Sequence, residues 1–189
     1  SDIRQHTIEN MDVYLTRLET AVNSAGGHVH WAETAEDARR IVLQIAKENN
    51  VKTVVKSKSM ATEEIELNHA LEAAGIEAIE TDLGEYIIQL AGTGPSHIIV
   101  PAVHLKKEEI AALFSEKLDI HAPTDPIELA RIAREVLREK FLNAEMGISG
   151  GNFLIAETGT LVLVTNEGNG RMCTTMPDLH VAVAGIDKV

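Results

Sequence analysis

Short apolar runs that alternate with amphipathic helical segments restrict the fold of this chain more than any other feature. Residues 51–55 (VKTVV) and 76–79 (IEAI) are brief, rich in β-branched residues and bounded by turn residues, so they read as strands; residues 97–100 (HIIV) give a third. Residues 61–74, 105–118 and 126–142 carry apolar side chains at helical spacing, and Gly75 stops the first of these helices. Strand and helix in alternation pack as a parallel sheet with helices over it, so the first two-thirds predict a doubly wound α/β layer structure. Aromatic residues are only 3% of the chain, so the core must be built from Ala, Val, Ile and Leu, which suits such a sheet.

The two ends have their own patterns. Ile8, Met11, Leu15, Leu18 and Val22 predict a helix over residues 3–24, stopped by Gly26 and Gly27. Residues 28–32 are a strand candidate. Thr34, with Asp37 three residues on, starts a helix that runs to Glu48 and ends at Asn49 and Asn50. Residues 1–50 read as the lead-in of the same domain whose core is residues 51–189. From Met146 onward three Gly/Asn-rich turns, GISGGN, ETGT and NEGNGR, separate short apolar runs, one of them residues 161–165. That stretch predicts closely spaced strands with no helix between them, a β-rich extension of one sheet.

A length of 189 residues suits one domain with a sizeable core. A formal net charge of −12 argues against a nucleic-acid partner and against docking on an anionic membrane. No stretch approaches the ~20 apolar residues of a membrane span, and the acidic N-terminal stretch is not a signal peptide. A single cysteine, Cys173, leaves no disulfide framework and no cysteine-ligated cluster within the chain. A reducing, cytoplasmic setting fits that usage. Cys173 is either a reactive thiol or, as lone cysteines more often are, small core filler.

Four constellations could carry chemistry. Lys56-Ser57-Lys58-Ser59-Met60 lies where a strand ends and a helix begins, a place that favours an anion; solvated lysines with Ser59 as a helix cap are the alternative. Glu80, Asp82 and Glu85 follow the next strand and serve as acid or base, as a weak metal site, or as an ion-pair network with the lysines. His97 and His104 flank the third strand, and His104 is at its functional end. Asn166-Glu167-Gly168-Asn169-Gly170-Arg171 follows an apolar strand: Glu167 could act as nucleophile or base and Arg171 could clamp a carboxylate or phosphate, unless this is a plain polar turn. No metal-ligand spacing, flavin fingerprint or nicotinamide fingerprint is visible.

Six motifs in order, KSKSM-TEEIELN, ETDLGEYIIQL, PSHIIVPAVH, MGISGGNFLIAETGT, TNEGNGR and PDLHVAVAGIDKV, together resemble the lactate-utilization (LUD) domain family, in its B-type, iron–sulfur subunit branch. The resemblance runs over residues 51–189. It implies a Rossmann-like parallel sheet with helices on both faces, similar to the NagB/RpiA/CoA-transferase superfamily. It also implies a part in oxidising L-lactate to pyruvate within a multi-subunit complex, with other lactate-utilization subunits as partners. The family motifs coincide here with Lys56, Lys58, Ser59, Glu63, Glu80, Asp82, Glu85, His104, Asn152, Glu157, Thr158, Asn166, Glu167, Asn169 and Arg171.

In this branch a ferredoxin-type region with two [4Fe–4S] clusters follows the LUD domain. Such clusters are therefore expected only in a longer parent protein, and this chain reads as a short form or a fragment that does not turn over lactate alone. The expected role is to bind a small carboxylate, held by Arg171 and the KSKSM turn, with Glu167 or His104 as proton acceptor, or to organise iron–sulfur partner subunits. The resemblance leaves two other readings: a CoA-transferase or isomerase-like enzyme on a CoA ester or sugar phosphate, with Glu167 as nucleophile, or a non-catalytic docking domain.

Overall fold

Chain direction and hydrophobic burial both converge on one parallel sheet. The computed structural model describes residues 2–93, 101–165 and 167–189. Its strands are β1 (Thr53–Lys56), β2 (Glu77–Glu80), β3 (Met146–Ser149), β4 (Phe153–Ile155), β5 (Thr160–Val162) and β6 (Leu179–Ala182). β1, β2, β3 and β6 pair in parallel in the order β2-β1-β3-β6, whereas β4 and β5 form a separate antiparallel ribbon. The helices are α1 (Asp2–Glu9), α2 (Met11–Ser24), α3 (Ala35–Glu48), α4 (Met60–Glu64), α5 (Leu67–Ala73), α6 (Leu83–Ala91), α7 (Lys107–Leu118), α8 (Pro126–Asn143) and α9 (Asn169–Thr175).

Alternation along the strands sends side chains to two different cores. Val54, Ala78, Met146 and Ile148 face α3 and α5, where Val42, Ala46, Leu67 and Leu71 meet them. Val55 and Ile79 face the other way, onto Tyr86 of α6, Leu137 and Phe141 of α8, and Cys173 of α9. A third cluster joins Ile87, Phe114 and Leu129 of α6, α7 and α8. The sheet is thus covered on both faces, as the α/β expectation requires.

Several elements differ from the sequence reading. The helix over residues 3–24 is two helices that meet at Asn10, and of its apolar stripe only Leu18 is buried. Residues 28–32 form no strand and are largely exposed. The helix over residues 61–74 breaks at Glu66, which has φ 52°; Arg39 donates to the carbonyl of Ile65 at 2.8 Å and so satisfies a group that the break frees. α6 is a helix over residues to which the sequence reading gave no element. Its start is fixed by Asp82, whose carboxylate accepts from the backbone N–H groups of Gly84 and Glu85. β5 ends at Val162 rather than at residue 165. A helix, α9, does lie in the C-terminal third, and it carries the chain from the ribbon back to β6. The strand candidate at residues 97–100 lies outside the described residues. Thr34 caps α3 as expected, accepting from Asp37 N–H at 3.1 Å.

Contact between α9 and β3 depends on a bare backbone. A Cβ on Gly147 would collide with the carbonyl of Cys173 and press against Pro177. Gly147→Ala should therefore cost at least about 2–3 kcal/mol, because backbone rather than a side-chain tip is in the way. Gly168→Ala, which would meet only the end of Met172 at 3.6 Å, should stay within about 0.5 kcal/mol. Denaturant unfolding of the two variants checks this, and equal stabilities would show that the approach of α9 is not limiting.

Candidate functional site

Parallel α/β sheets offer ligands a crevice where successive crossovers leave in opposite directions. Here that point lies between β1 and β3: the chain leaves β1 toward β2 on one side and leaves β3 toward β6 on the other. The turns after these strands touch. Ser57 N–H donates to the carbonyl of Ile148 at 2.9 Å, and a Cβ on Gly150 would lie 2.7 Å from Ser59 Oγ. The sequence thus brings the KSKS turn and the SGGN turn together through a glycine that admits a side chain beside it.

On the α3/α5 side, most of the predicted charged residues meet one another. Lys56 is fully buried, its Nζ 2.8 Å from Glu80 Oε1 and donating to Thr62 Oγ1 at 3.1 Å. Asn68 Nδ2 donates to the same carboxylate at 2.6 Å. Lys58 Nζ lies 3.4 Å from Glu85 Oε1. Ser59 accepts from Thr62 N–H as the cap of α4, and Asp82 caps α6. Glu63 is exposed on α4. Lys56 and Lys58 therefore each lie against a carboxyl group, the network with the lysines that was one of three readings open for Glu80, Asp82 and Glu85.

Within that network Glu85 is pushed up to about 8, first by burial and then by the neighbouring Glu80 charge. Glu80 Oε2, Glu85 Oε2 and Asn68 Oδ1 are buried without a donor among the described residues. A proton on Glu85 that hydrogen-bonds Glu80 supplies one, so the two carboxyl groups hold a single proton between them.

On the opposite, α9 side, a cavity of about 420 Å³ is lined by Leu161, Leu163, Thr165, Arg171, Thr174 and His180. β6 forms its floor, α9 one wall, and β5 with the chain that follows it the other. His180 pairs in register with Gly147, and its Nε2 lies 2.8 Å from Ser149 Oγ. Ser149 Oγ in turn donates to the carbonyl of Gly150 at 3.0 Å. Burial holds His180 below its ordinary value, so its ring is neutral near pH 7.

The two clusters flank the sheet. Lys56 and Glu80 continue the alternation of Val54 and Ala78 toward α3 and α5, whereas His180 and Arg171 lie with α9. Among the described residues, none of the KSKSM turn or of Glu80, Asp82 and Glu85 lines the Arg171 cavity, so they are not its facing wall. Glu167 is exposed just ahead of α9, and Asn169 is that helix's first residue, half-buried. Glu157 pairs with Arg17 of α2 at 3.1 Å on the surface, and Thr158 bonds the hydroxyl of Thr160 at 2.7 Å. Asn152 uses its Oδ1 to accept from Val164 N–H at 2.8 Å, which pins the chain after β5. His104 is exposed in the turn before α7. His97 and Asn166 lie outside the described residues. Cys173 is core filler: it is fully buried and burial pushes its thiol up to about 11. His180 and Ser149 were missed in the sequence. The alternation of His180 with Leu179 and Val181 marks it as facing away from the α3/α5 core, but nothing in linear order brings it to Ser149.

Among the described residues no group of three or more His, Cys, Asp or Glu is placed to hold a metal ion, and no helix is long and apolar enough to cross a membrane.

The shared proton sets a pH dependence. Glu85 has a folded value of about 8 against an ordinary 4.5, so the native chain keeps a proton that the unfolded chain has released. Its contribution is fully present below pH 4.5 and is lost as pH rises through 8. Glu85→Gln should flatten that loss and stabilise the protein at pH 9 by the order of 1–3 kcal/mol. Urea unfolding from pH 5 to 9 measures it, and an unchanged slope in the variant would refute the shared proton.

Comparison with known proteins gives the fold its family. The LUD domain model matches residues 15–189. The chain is 53% identical over 189 residues to lactate utilization protein B of Macrococcus caseolyticus and 51% identical over 189 residues to the uncharacterized electron transport protein YkgF of Escherichia coli. It is 50% identical over 187 residues to lactate utilization protein B 2 of Bacillus mycoides. Nearly all of this chain is aligned in each case, yet it spans only 40% of each relative's length. No solved structure matches it. With a family match over most of its length and relatives at about half identity throughout, the chain belongs to the LUD domain family.

Proposed function

We propose that this chain is the LUD domain of a protein that works in lactate utilization, and that it binds a small carboxylate in the cavity beside Arg171. The observation that carries this reading is the convergence of Arg171, Thr165, Thr174 and His180 on one cavity whose remaining lining is apolar. A guanidinium takes a carboxylate through two parallel hydrogen bonds, and the Thr165 hydroxyl adds a donor. Thr174 gives its one hydroxyl hydrogen to the carbonyl of Arg171, so it steadies the turn of helix that carries the guanidinium. The names of the relatives supply the substrate class.

Oxidising L-lactate to pyruvate removes two electrons and two protons, so it needs a base and an electron acceptor. This domain would hold and orient the acid. We place the acceptor outside the chain, in iron–sulfur proteins or in the region that makes the relatives longer, because a [4Fe–4S] cluster needs several thiolates and the one cysteine here is buried in the core. Other lactate-utilization subunits are the partners in this reading, and the cytoplasm is its setting.

Calorimetric titration of the purified chain with L-lactate should give one binding site, and Arg171→Ala should weaken it at least tenfold. Binding that survives Arg171→Ala unchanged would show that the acid is not held in this cavity. With lactate and an artificial dye, the 189-residue chain should show no turnover.

A further inference from the structure

We infer that the cavity selects 2-hydroxy carboxylates with an apolar tail, and that His180 is the residue that reads the 2-hydroxyl group. This rests on the reading of Arg171 as the carboxylate's partner.

Hydrogen-bond direction singles out His180. The Ser149 hydroxyl hydrogen is committed to the carbonyl of Gly150 at 3.0 Å. At the 2.8 Å contact with His180, Ser149 Oγ is therefore the acceptor and Nε2–H the donor. A neutral ring with its proton on Nε2 carries a lone pair on Nδ1. That nitrogen accepts from the hydroxyl of a 2-hydroxy acid and opposes the lone pairs of a 2-oxo group. β3 and β6 hold the pair through the sheet itself, since His180 and Ser149 lie on one face, two register positions apart. The tautomer is thus set by backbone that does not move with the ligand.

Volume singles out the apolar tail. Lactate has six heavy atoms, at most roughly 180 Å³ if each takes the share of a water molecule. The cavity holds about 420 Å³. Leu161 and Leu163, two residues apart on one face of the chain, line it. Room that lactate leaves over lies beside apolar side chains, where further methylenes leave water at a gain of up to about fourfold in affinity each.

Titration of the wild-type chain with L-lactate, L-2-hydroxybutyrate, L-2-hydroxyisocaproate, pyruvate and 2-oxoisocaproate tests the inference. Affinity should rise two- to fourfold with each carbon added to the tail, and each hydroxy acid should bind at least fivefold tighter than its oxo counterpart. His180→Leu should bring the hydroxy and oxo acids to parity, and His180→Gln, which keeps one donor and one acceptor, should restore part of the preference. Oxo acids that bind wild type as tightly as hydroxy acids, or affinities indifferent to tail length, would overturn the inference while leaving an Arg171-dependent carboxylate site in place. Loss of any Arg171-dependent binding would overturn both. The wild-type series decides the matter even if a His180 variant does not fold.

Discussion

Approach of α9 to the sheet at Gly147 is the constraint on which the site depends. With no side chain at that point, the backbone of Cys173 rests on β3, and Pro177 follows it down. The chain then has only a short way to go before β6 pairs with β3, which lays His180 beside Gly147 and within reach of Ser149. Arg171 is on the same helix, two residues before Cys173. One close approach therefore fixes both polar ends of the cavity, and a methyl group there would displace them together.

Across the sheet, the buried charges follow a different logic. An ion pair as buried as Lys56 and Glu80 gains little net free energy over apolar residues, because desolvation of two ions offsets their attraction. Removing either partner, in contrast, strands the other and costs about 3–5 kcal/mol. The network consequently works as a specification. Lys56 on β1, Glu80 on β2, Thr62 on α4 and Asn68 on α5 are joined by these short contacts, which tie the first crossover to the ends of the two strands it connects. Lys58 and Glu85 extend it toward solvent, and the proton held between Glu80 and Glu85 keeps a second carboxylate from adding its full charge to a poorly hydrated place.

How much of this was legible depends on whether a feature is local. The start of α3 at Thr34, the start of α8 at Pro126, and the parallel α/β class follow from a cap and from apolar period, which short windows contain. α6 was hidden because its nine residues are mostly apolar and its cap, Asp82, stands among carboxylates that read as a chemical cluster. α9 was hidden more deeply. Asn169, Gly170 and two threonines are poor helix formers, so it is contact with β3, not propensity, that makes them helical. The resemblance marked Arg171 but gave it the KSKSM turn as its opposite wall. Strand alternation, worked through both β1 and β6, separates them onto two faces. His180 needed the register between β3 and β6, a pairing across more than thirty positions that no local pattern encodes.

The cavity has walls of unequal strength. Its floor is β6, paired along its length with β3, and one wall is the α9 helix set against that sheet. The other wall continues a two-stranded ribbon, a structure that is marginal on its own in water. Among its holds are the bonds of Asn152 to Val162 and Val164, the close approach of the Gly159 turn to the backbone of α2 at Ala21 and Val22, and the exposed Arg17–Glu157 pair. Exposed pairs of this kind contribute about 0–1 kcal/mol. Groups that must be placed to a fraction of an ångström, Arg171 and His180, are on the strong side, and the apolar residues Leu161 and Leu163, which need only cover a ligand, are on the weak one. That division suits a site in which polar recognition is preorganised and apolar enclosure adapts to what has entered.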